Sequence, residues 1–453
     1  MNRRDLIMSG MAAMTASGLL RFRRGWRGYP PVGAVPSSAQ LAWHDMAMGM
    51  FLHFGINTFT DREWGDGTED PKTFNPERLD ARQWMRAAVA GGFRYVVLTA
   101  KHHDGFCLWP SRVTDHSVKS SPWREGKGDV VRDVADAARE AGLGLGLYLS
   151  PWDRNARSYG SGEGYNDFYL AQLTELLTNY GPLTEVWFDG ANGEGPNGKK
   201  QKYDWPRIHA TVRRLQPNAL MFSDAGPDIR WIGNERGTAG DPNWCTVDPS
   251  IVTEPGLDGP EIIRSLQHGD APPRGTVWRP GEADVSIRPG WFHHAAEDAK
   301  VKSADALMEI WFNSVGRNAN LLLNVPPARD GLIAGADMRS LEAFGAAQRA
   351  FRDRIVAAAV RRAADGSLEV RFGARERIAA VVLEEDIAAG QRVNGYRVEA
   401  VGANGAEATI ARGTTIGRRK IDRFDPVTAT SVRILLQDAT SLSAITSVSA
   451  VRA

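Results

Sequence analysis

The amino-acid sequence predicts an α/β protein: an irregular (β/α)8-like barrel of the TIM type, followed by a C-terminal antiparallel β-sandwich. Three observations carry this expectation. From residue 44 to about 335, short continuous apolar runs alternate with amphipathic helical stretches, the pattern of parallel strands buried on both faces and joined by helical crossovers. Seven or so such units over this stretch suit a barrel. A doubly wound open sheet is the alternative, but no Gly-x-Gly-x-x-Gly stretch follows an early strand. Beyond about residue 360 the texture changes to β-rich runs of alternating polarity joined by Gly, Asn and Asp turns, without a long helix, which reads as a small sandwich.

Taken in order, "GMFLHFG" opens the barrel and its apolar run closes on His53. The helical stretch "DARQWMRAAVAGG" leads to "RYVVLTAKHHDG", a strand that runs out at His102, His103 and Asp104. "VVRDVADAAREAG" leads to "LGLGLYLS", with Tyr148 near its end, and "NDFYLAQLTELLTNYG" to "TEVWFDG", which closes on Asp189. "YDWPRIHATVRRLQP" precedes the strand "ALMFSD"; "GTVWRP" and "NANLLLNVPP" are the last strand-like runs, with "SADALMEIWFNSVG" as a helix between them. "LEAFGAAQRAFRDRIV" (341–356) reads as a connecting helix to the β-rich runs "SLEVRFG", "RIAAVVLEED", "QRVNGYRVEAVG", "SVRILLQD" and "AITSVSAVRA". The expected division is 1–39 as an export segment and linker, 40–345 as the catalytic barrel and 346–453 as connecting helix and sandwich.

The bulk properties narrow the field. The chain has 453 residues and is 42% hydrophobic and 24% charged, an ordinary globular composition with room for a large core. A net charge of +1 gives no electrostatic case for a nucleic-acid or membrane-surface partner. Two cysteines, Cys107 and Cys245, offer neither a disulfide framework nor a zinc motif; two free buried thiols are the favoured reading, with one disulfide the alternative for an exported protein. The start "MNRRDLIMSGMAAMTASGLL" places Arg3 and Arg4 before an apolar run from Leu6 to Leu20. That is the layout of a twin-arginine export signal, with a junction expected near Ala39 and a periplasmic or extracellular destination. The run is short for a membrane span, and a short buried helix is the structural alternative. The oligomeric state is not legible.

Polar residues recur where the apolar runs stop: His53, His102 with His103, Tyr148 and Asp189. In a barrel these ends meet at one face, where active sites form. A single one could cap a turn; four at matching places argue for a shared site. His102 and His103 are adjacent on an extended chain and diverge, without H-x-H or H-E-x-x-H spacing, so a neutral polar ligand fits better than a metal. Trp64, Trp109, Trp187, Trp278 and Trp291 lie near strand ends or loops and could stack on sugar faces. Glycoside hydrolysis then needs a second carboxyl beside Asp189, with Glu235, Glu254 and Glu282 as candidates.

The blocks "MFLHFGINTFTDREWGDG", "VLTAKHHDGFCLWPS", "EVWFDGANG" and "RWIGNERG" together resemble the α-L-fucosidases of glycoside hydrolase family 29, over roughly residues 40 to 340. The resemblance implies a (β/α)8-like barrel with a C-terminal β-sandwich. It also implies a retaining, exo-acting release of terminal L-fucose from a glycan by double displacement, with no metal or cofactor. It makes Asp189 the nucleophile, and His53, Glu63, Trp64, His102, His103 and Tyr148 the fucose ligands, with Trp187 beside them. "GNERG" and "ADVSIRPGWFHH" are similar to the subgroup that favours α-1,3- and α-1,4-linked fucose, which makes Glu235 the acid/base; the last block of that subgroup usually has an aromatic where this chain has His293 or His294. Fucose carries a methyl in place of a 6-hydroxyl, and Trp291 and Phe292 are the candidates for an apolar patch facing it. Arg230 and Arg288 read as structural ion-pair partners. A glycosidase of the same fold acting on another sugar, or a non-catalytic sugar-binding protein, are the competing readings.

Overall fold

A computed structural model describes residues 33–363, 367–437 and 445–453. The arginine pair and the apolar run read as an export signal lie outside the described residues. The chain enters with helix α1 (Ser38–Met46), strand β1 (Met48–Leu52) and the short helix α2 (Ile56–Thr60). Helices and strands then alternate: α3 (Ala81–Gly91), β2 (Tyr95–Lys101), α4 (Val130–Glu140), β3 (Gly144–Leu149), α5 (Glu163–Asn179), β4 (Glu185–Trp187), α6 (Trp205–Leu215) and β5 (Leu220–Ser223). Strand β6 (Ile229–Trp231) follows, then β7 (Thr246–Val247), α7 (Pro260–His268), β8 (Val277–Trp278), β9 (Gly281–Ser286), α8 (Ala304–Asn313), β10 (Asn320–Asn324) and α9 (Gly335–Asp353).

Eight of these strands close a parallel barrel in the order β1-β2-β3-β4-β5-β6-β9-β10. Alternation along each strand builds two apolar layers. Phe51, Tyr95, Val97, Tyr148, Trp187, Phe222 and Leu322 fill the interior, while Met50, Leu52, Val96, Leu98, Leu147, Val186 and Leu323 pack outward against the helices. Three crossover helices start on an aspartate whose side chain accepts from the N–H three residues on: Asp80 for α3, Asp129 for α4 and Asp204 for α6. At the other end α1 plugs the barrel: Trp43 lies with the interior cluster and its Nε1 donates to Glu185 Oε2 at 3.2 Å. Ser37 and Gln40 form a capping box at the start of α1, so a cut near Ala39 would strip that cap.

The barrel departs from the expected elements in two places. "GTVWRP" is not a barrel strand: β8 pairs antiparallel with β7 in a separate two-stranded ribbon. The barrel strand is β9, whose sequence GEADVS hides its burial because Glu282 and Asp284 take the inward positions while Ala283 and Val285 pack outward. Strand β6 has three residues and follows β5 after residues 224–228 with no crossover helix.

The C-terminal part is antiparallel throughout: β11 (Ala358–Arg362), β12 (Leu368–Glu385), β13 (Tyr396–Val401), β14 (Glu407–Gly413), β15 (Lys420–Leu436) and β16 (Ile445–Arg452), ordered β11-β12-β15-β13-β14 with β16 on β12. Register shifts in β12 at Arg371/Glu376 and Ile378/Ala380 bend the long strands, and the sheet wraps a core that includes Val370, Leu383, Val398, Val432 and Ile434. This sandwich is fused to the barrel. Ala380, Val382, Ile421 and Val451 belong to the same apolar cluster as Trp311 and Phe351, and Arg423 clasps Glu309 at 2.5 and 2.7 Å.

Candidate active site

At the C-terminal ends of the barrel strands lies a cavity of about 300 Å³ floored by Phe51 and Trp187. Its wall is polar on one side, with His53, His102, His103 and Tyr148, and rimmed by Trp64, Trp231 and Trp291. Four carboxyls line it: Asp189, Asp224, Glu235 and Asp284.

Asp189 stands just beyond β4, held from two sides. Tyr148 donates to its Oδ2 at 3.1 Å and the Ala191 N–H to its Oδ1 at 2.7 Å. Its Oδ2 lies 3.9 Å from His103 Nε2. Two residues upstream, Trp187 is locked in place: its ring stacks on Phe222 at 4.1 Å and its Nε1 donates to Glu282 Oε2 at 3.1 Å. Gly190 is required by close approach. A Cβ there would fall 2.0 Å from Asp224 Oδ2, so the glycine leaves room for a second carboxyl beside Asp189.

The three other carboxyls are pushed towards their neutral forms. Glu235 follows β6 at the exposed rim; loss of surrounding water and then the Asp189 charge raise its pKa. Asp284 accepts from Trp231 Nε1 at 2.7 Å, and burial followed by the Glu235 charge raises it well above the usual range. Asp224 is raised to about 6 by burial and by Asp189, and accepts from the Gly256 N–H at 3.0 Å.

The histidines are arranged as neutral rings. Burial lowers His53 to about 3. His102 is lowered by burial and then by the neighbouring His103, and His103 by burial, partly offset by Asp189. His53 Nδ1 lies 2.8 Å from the Asn324 side-chain Oδ1, so Nδ1 is its donor and Nε2 its acceptor. Ser150 Oγ donates to the Trp152 carbonyl and therefore accepts from His103 Nδ1, again leaving Nε2 as acceptor. His102 Nδ1 is buried without a hydrogen-bond partner among the described residues. Neutral imidazoles that each keep a free polar nitrogen suit sugar hydroxyls, which both donate and accept.

Of the residues given a catalytic or fucose-binding role by the family resemblance, all but Glu63 and Phe292 line this cavity. Glu63 is part-exposed beside the cavity, its Oε2 accepting from the Trp291 N–H at 2.7 Å and its Oε1 from the Phe292 N–H at 3.1 Å. Phe292 is fully buried and meets His53 and His102 edge-on. Trp64, 59% exposed, stands edge-on to His103 and Trp152 at the mouth.

Other candidates fall away. Glu282 lies beneath the floor, accepting from Tyr95 and Trp187, and the exposed Glu254 does not line the cavity. Trp109 is core, donating to Glu175 at 2.8 Å, and Trp278 is buried in the ribbon. Arg288 is indeed ion-paired, to Asp337 at 2.5 Å and Asp298 at 2.8 Å. Arg230 instead donates to the Leu266 and Arg279 carbonyls and to Asn243. Asp104 caps its own turn at the Phe106 N–H, and Cys107 and Cys245 are buried free thiols. Among the described residues no group of three or more His, Cys, Asp or Glu is placed to hold a metal ion. Sequence reasoning missed Asp224 and Asp284. The first carries the same signal as Asp189, a carboxyl closing an apolar run in "ALMFSD"; the second is masked by the polar reading of β9.

Comparison with known proteins agrees with this geometry. The model of the family described as Alpha-L-fucosidase matches residues 64–348. Alpha-L-fucosidase 1 of Arabidopsis thaliana is 54% identical over 318 residues, spanning 69% of this chain and 60% of that protein. A protein of Oryza sativa subsp. japonica, provisionally named as an alpha-L-fucosidase 1, is 46% identical over 442 residues, spanning 90% of this chain and 83% of that protein. The structure of a Ruminococcus gnavus GH29 fucosidase in complex with fucose superposes with a TM-score of 0.82 at 30% identity, covering 95% of this chain and 96% of that one. The chain is a member of glycoside hydrolase family 29, the α-L-fucosidases.

Proposed function

We propose that this α-L-fucosidase is a retaining, exo-acting enzyme that releases terminal α-1,3- or α-1,4-linked L-fucose, with Asp189 as nucleophile and Glu235 as acid/base. The observation that carries the reading is the contrast between two carboxyls of one cavity. Asp189 accepts hydrogen bonds from Tyr148 and the Ala191 N–H, whereas Glu235 is raised by burial and by the Asp189 charge itself. An ionised nucleophile opposite a proton-bearing acid is what double displacement needs. Asp189 attacks the anomeric carbon as Glu235 protonates the departing glycosidic oxygen. Glu235 then takes a proton from water, which attacks the same carbon and frees Asp189. His53, His102 and His103 bind ring hydroxyls, Trp64 and Trp291 form the walls, and Trp187 forms the floor. A dead-end cavity of about 300 Å³ supports removal of one terminal sugar. Similarity of "GNERG" and "ADVSIRPGWFHH" to the α-1,3/1,4-selective subgroup supports the linkage, and the Arg3–Arg4 layout supports twin-arginine export to the periplasm or beyond.

The test is the anomer first released from an aryl α-L-fucoside, followed by NMR before mutarotation. Retention predicts α-L-fucose first, and β-L-fucose first would overturn the mechanism. Asp189→Ala should be folded and without turnover, and a panel of fucosylated oligosaccharides should lose α-1,3- and α-1,4-linked fucose fastest. Replacement of Arg3 and Arg4 by lysine should abolish export.

A further inference from the structure

Beside the Trp291–Phe292 segment, one imidazole ties two part-exposed carboxylates together. His294 Nε2 lies 2.8 Å from Glu63 Oε1, and its Nδ1 lies 2.6 Å from Asp61 Oδ1. Glu63 in turn accepts from the Trp291 and Phe292 N–H groups at 2.7 and 3.1 Å. A Cβ on Gly290 would fall 2.3 Å from Glu63 Oε1, so the segment is moulded around this carboxylate. The segment matters because Trp291 lines the cavity with its ring 5.1 Å from His53, and Phe292 backs both His53 and His102.

Carboxylates only accept hydrogen bonds. A neutral imidazole has one N–H, so bridging two carboxylates with it would set its lone pair against one of them. The bridge is therefore made by the imidazolium. We infer that His294 is a positioning residue. Protonated, it joins Asp61 to Glu63 and holds the Glu63 carboxylate on the Trp291–Phe292 backbone; on losing its proton it loosens that wall of the fucose site. This rests on Trp291 being part of the fucose site as proposed above.

The surroundings agree with the charge. Partial burial opposes it, but the hydrogen bonds to Asp61 and Glu63 prevail and raise His294 above its ordinary value. The other charged groups facing it are Arg288, which donates to the His294 carbonyl at 3.2 Å, and His293, whose Nε2 lies 3.6 Å from Asp298. Arg288 is itself offset by Asp337 and Asp298, and burial, then the Arg288 charge, lowers His293. For a group raised in this way, the bridge is intact below the ordinary imidazole value and is lost as pH rises through the raised one.

The experiment measures KM and kcat for an aryl α-L-fucoside against pH in wild type, Asp61→Asn and His294→Gln. Wild-type KM should rise roughly tenfold with pH through the His294 titration, the scale of one lost charge-assisted hydrogen bond. In Asp61→Asn, with one carboxylate gone, the same rise should come at lower pH. In His294→Gln, KM should be raised and flat, while the kcat profile keeps its wild-type shape in both variants. A wild-type KM that does not change with pH, or an unshifted inflection in Asp61→Asn, overturns the inference. Histidine-labelled NMR gives a readout independent of turnover: the resonance lost in His294→Gln must titrate above the ordinary imidazole value in wild type and lower in Asp61→Asn. Failure of the anomer test above would strike the mechanism and leave this titration unaffected.

Discussion

Glu235 hangs from the loop after β6 and is exposed, yet the cavity and Asp189 keep its carboxyl raised. An acid is needed most where the leaving group is poor. Glu235→Ala should therefore lose about 10²- to 10⁴-fold in kcat/KM on natural glycans and far less on activated aryl fucosides. Equal loss on both would argue against the acid role. In wild type, kcat/KM should fall as pH rises through the raised Glu235 value, because the proton it must donate is gone, and a pH–rate profile will locate that limb. Gly190 gives a second test. Its Cβ in Gly190→Ala would drive into Asp224, displacing the carboxyl beside Asp189, and a shift of about 1 Å at a reacting centre costs roughly 100-fold. Gly190→Ala combined with Asp224→Ala should recover part of the loss; no recovery would show that the clash lies elsewhere. Asp189 was legible in sequence because an apolar strand stops at it. The neighbouring Asp224 closes an equivalent apolar run, but its burial and its closeness to Gly190 come from chain segments that only the fold brings together.

Among the elements, β9 shows why periodicity fails at a functional strand. Its inward positions hold Glu282 and Asp284 because Tyr95, Trp187 and Trp231 supply donors inside the barrel. A search for apolar runs passes over it and settles on "VW" of the neighbouring ribbon. The three-residue β6 escapes for another reason: it is too short to show any period. Just after β9, Arg288 and Asp337 form an ion pair whose side chains are both fully buried, which ties this strand end to α9. Removing one partner leaves a buried charge alone, so Arg288→Met should cost about 3–5 kcal/mol in urea-induced unfolding. Arg288→Met with Asp337→Leu should regain much of that. A single variant as stable as wild type would show that water relieves the remaining carboxylate.

The whole molecule is two architectures, each with its own core, joined through one shared apolar cluster. The change of texture near residue 360 announced the sandwich, but nothing in the sequence said that Ala380, Val382, Ile421 and Val451 would pack with Trp311 and Phe351 of the barrel. Strand alternation shows which residues face inward, not which body they face. The shared cluster should make unfolding a single cooperative transition in calorimetry, and a chain ending at residue 353 should expose those aromatics and aggregate. Two separated transitions, or a soluble truncated barrel, would contradict that coupling.

The absent crossover between β5 and β6 has a consequence for how such an enzyme can be altered. Asp189 is anchored on a strand braced on both sides, so its supporting scaffold tolerates little editing. Glu235 rides instead on the start of a long excursion, 232–280, that carries its own ribbon and helix outside the barrel wall. Grafting this segment from a relative should retune which leaving groups are served, as long as the graft keeps the Gly256 N–H that Asp224 accepts from beside the nucleophile.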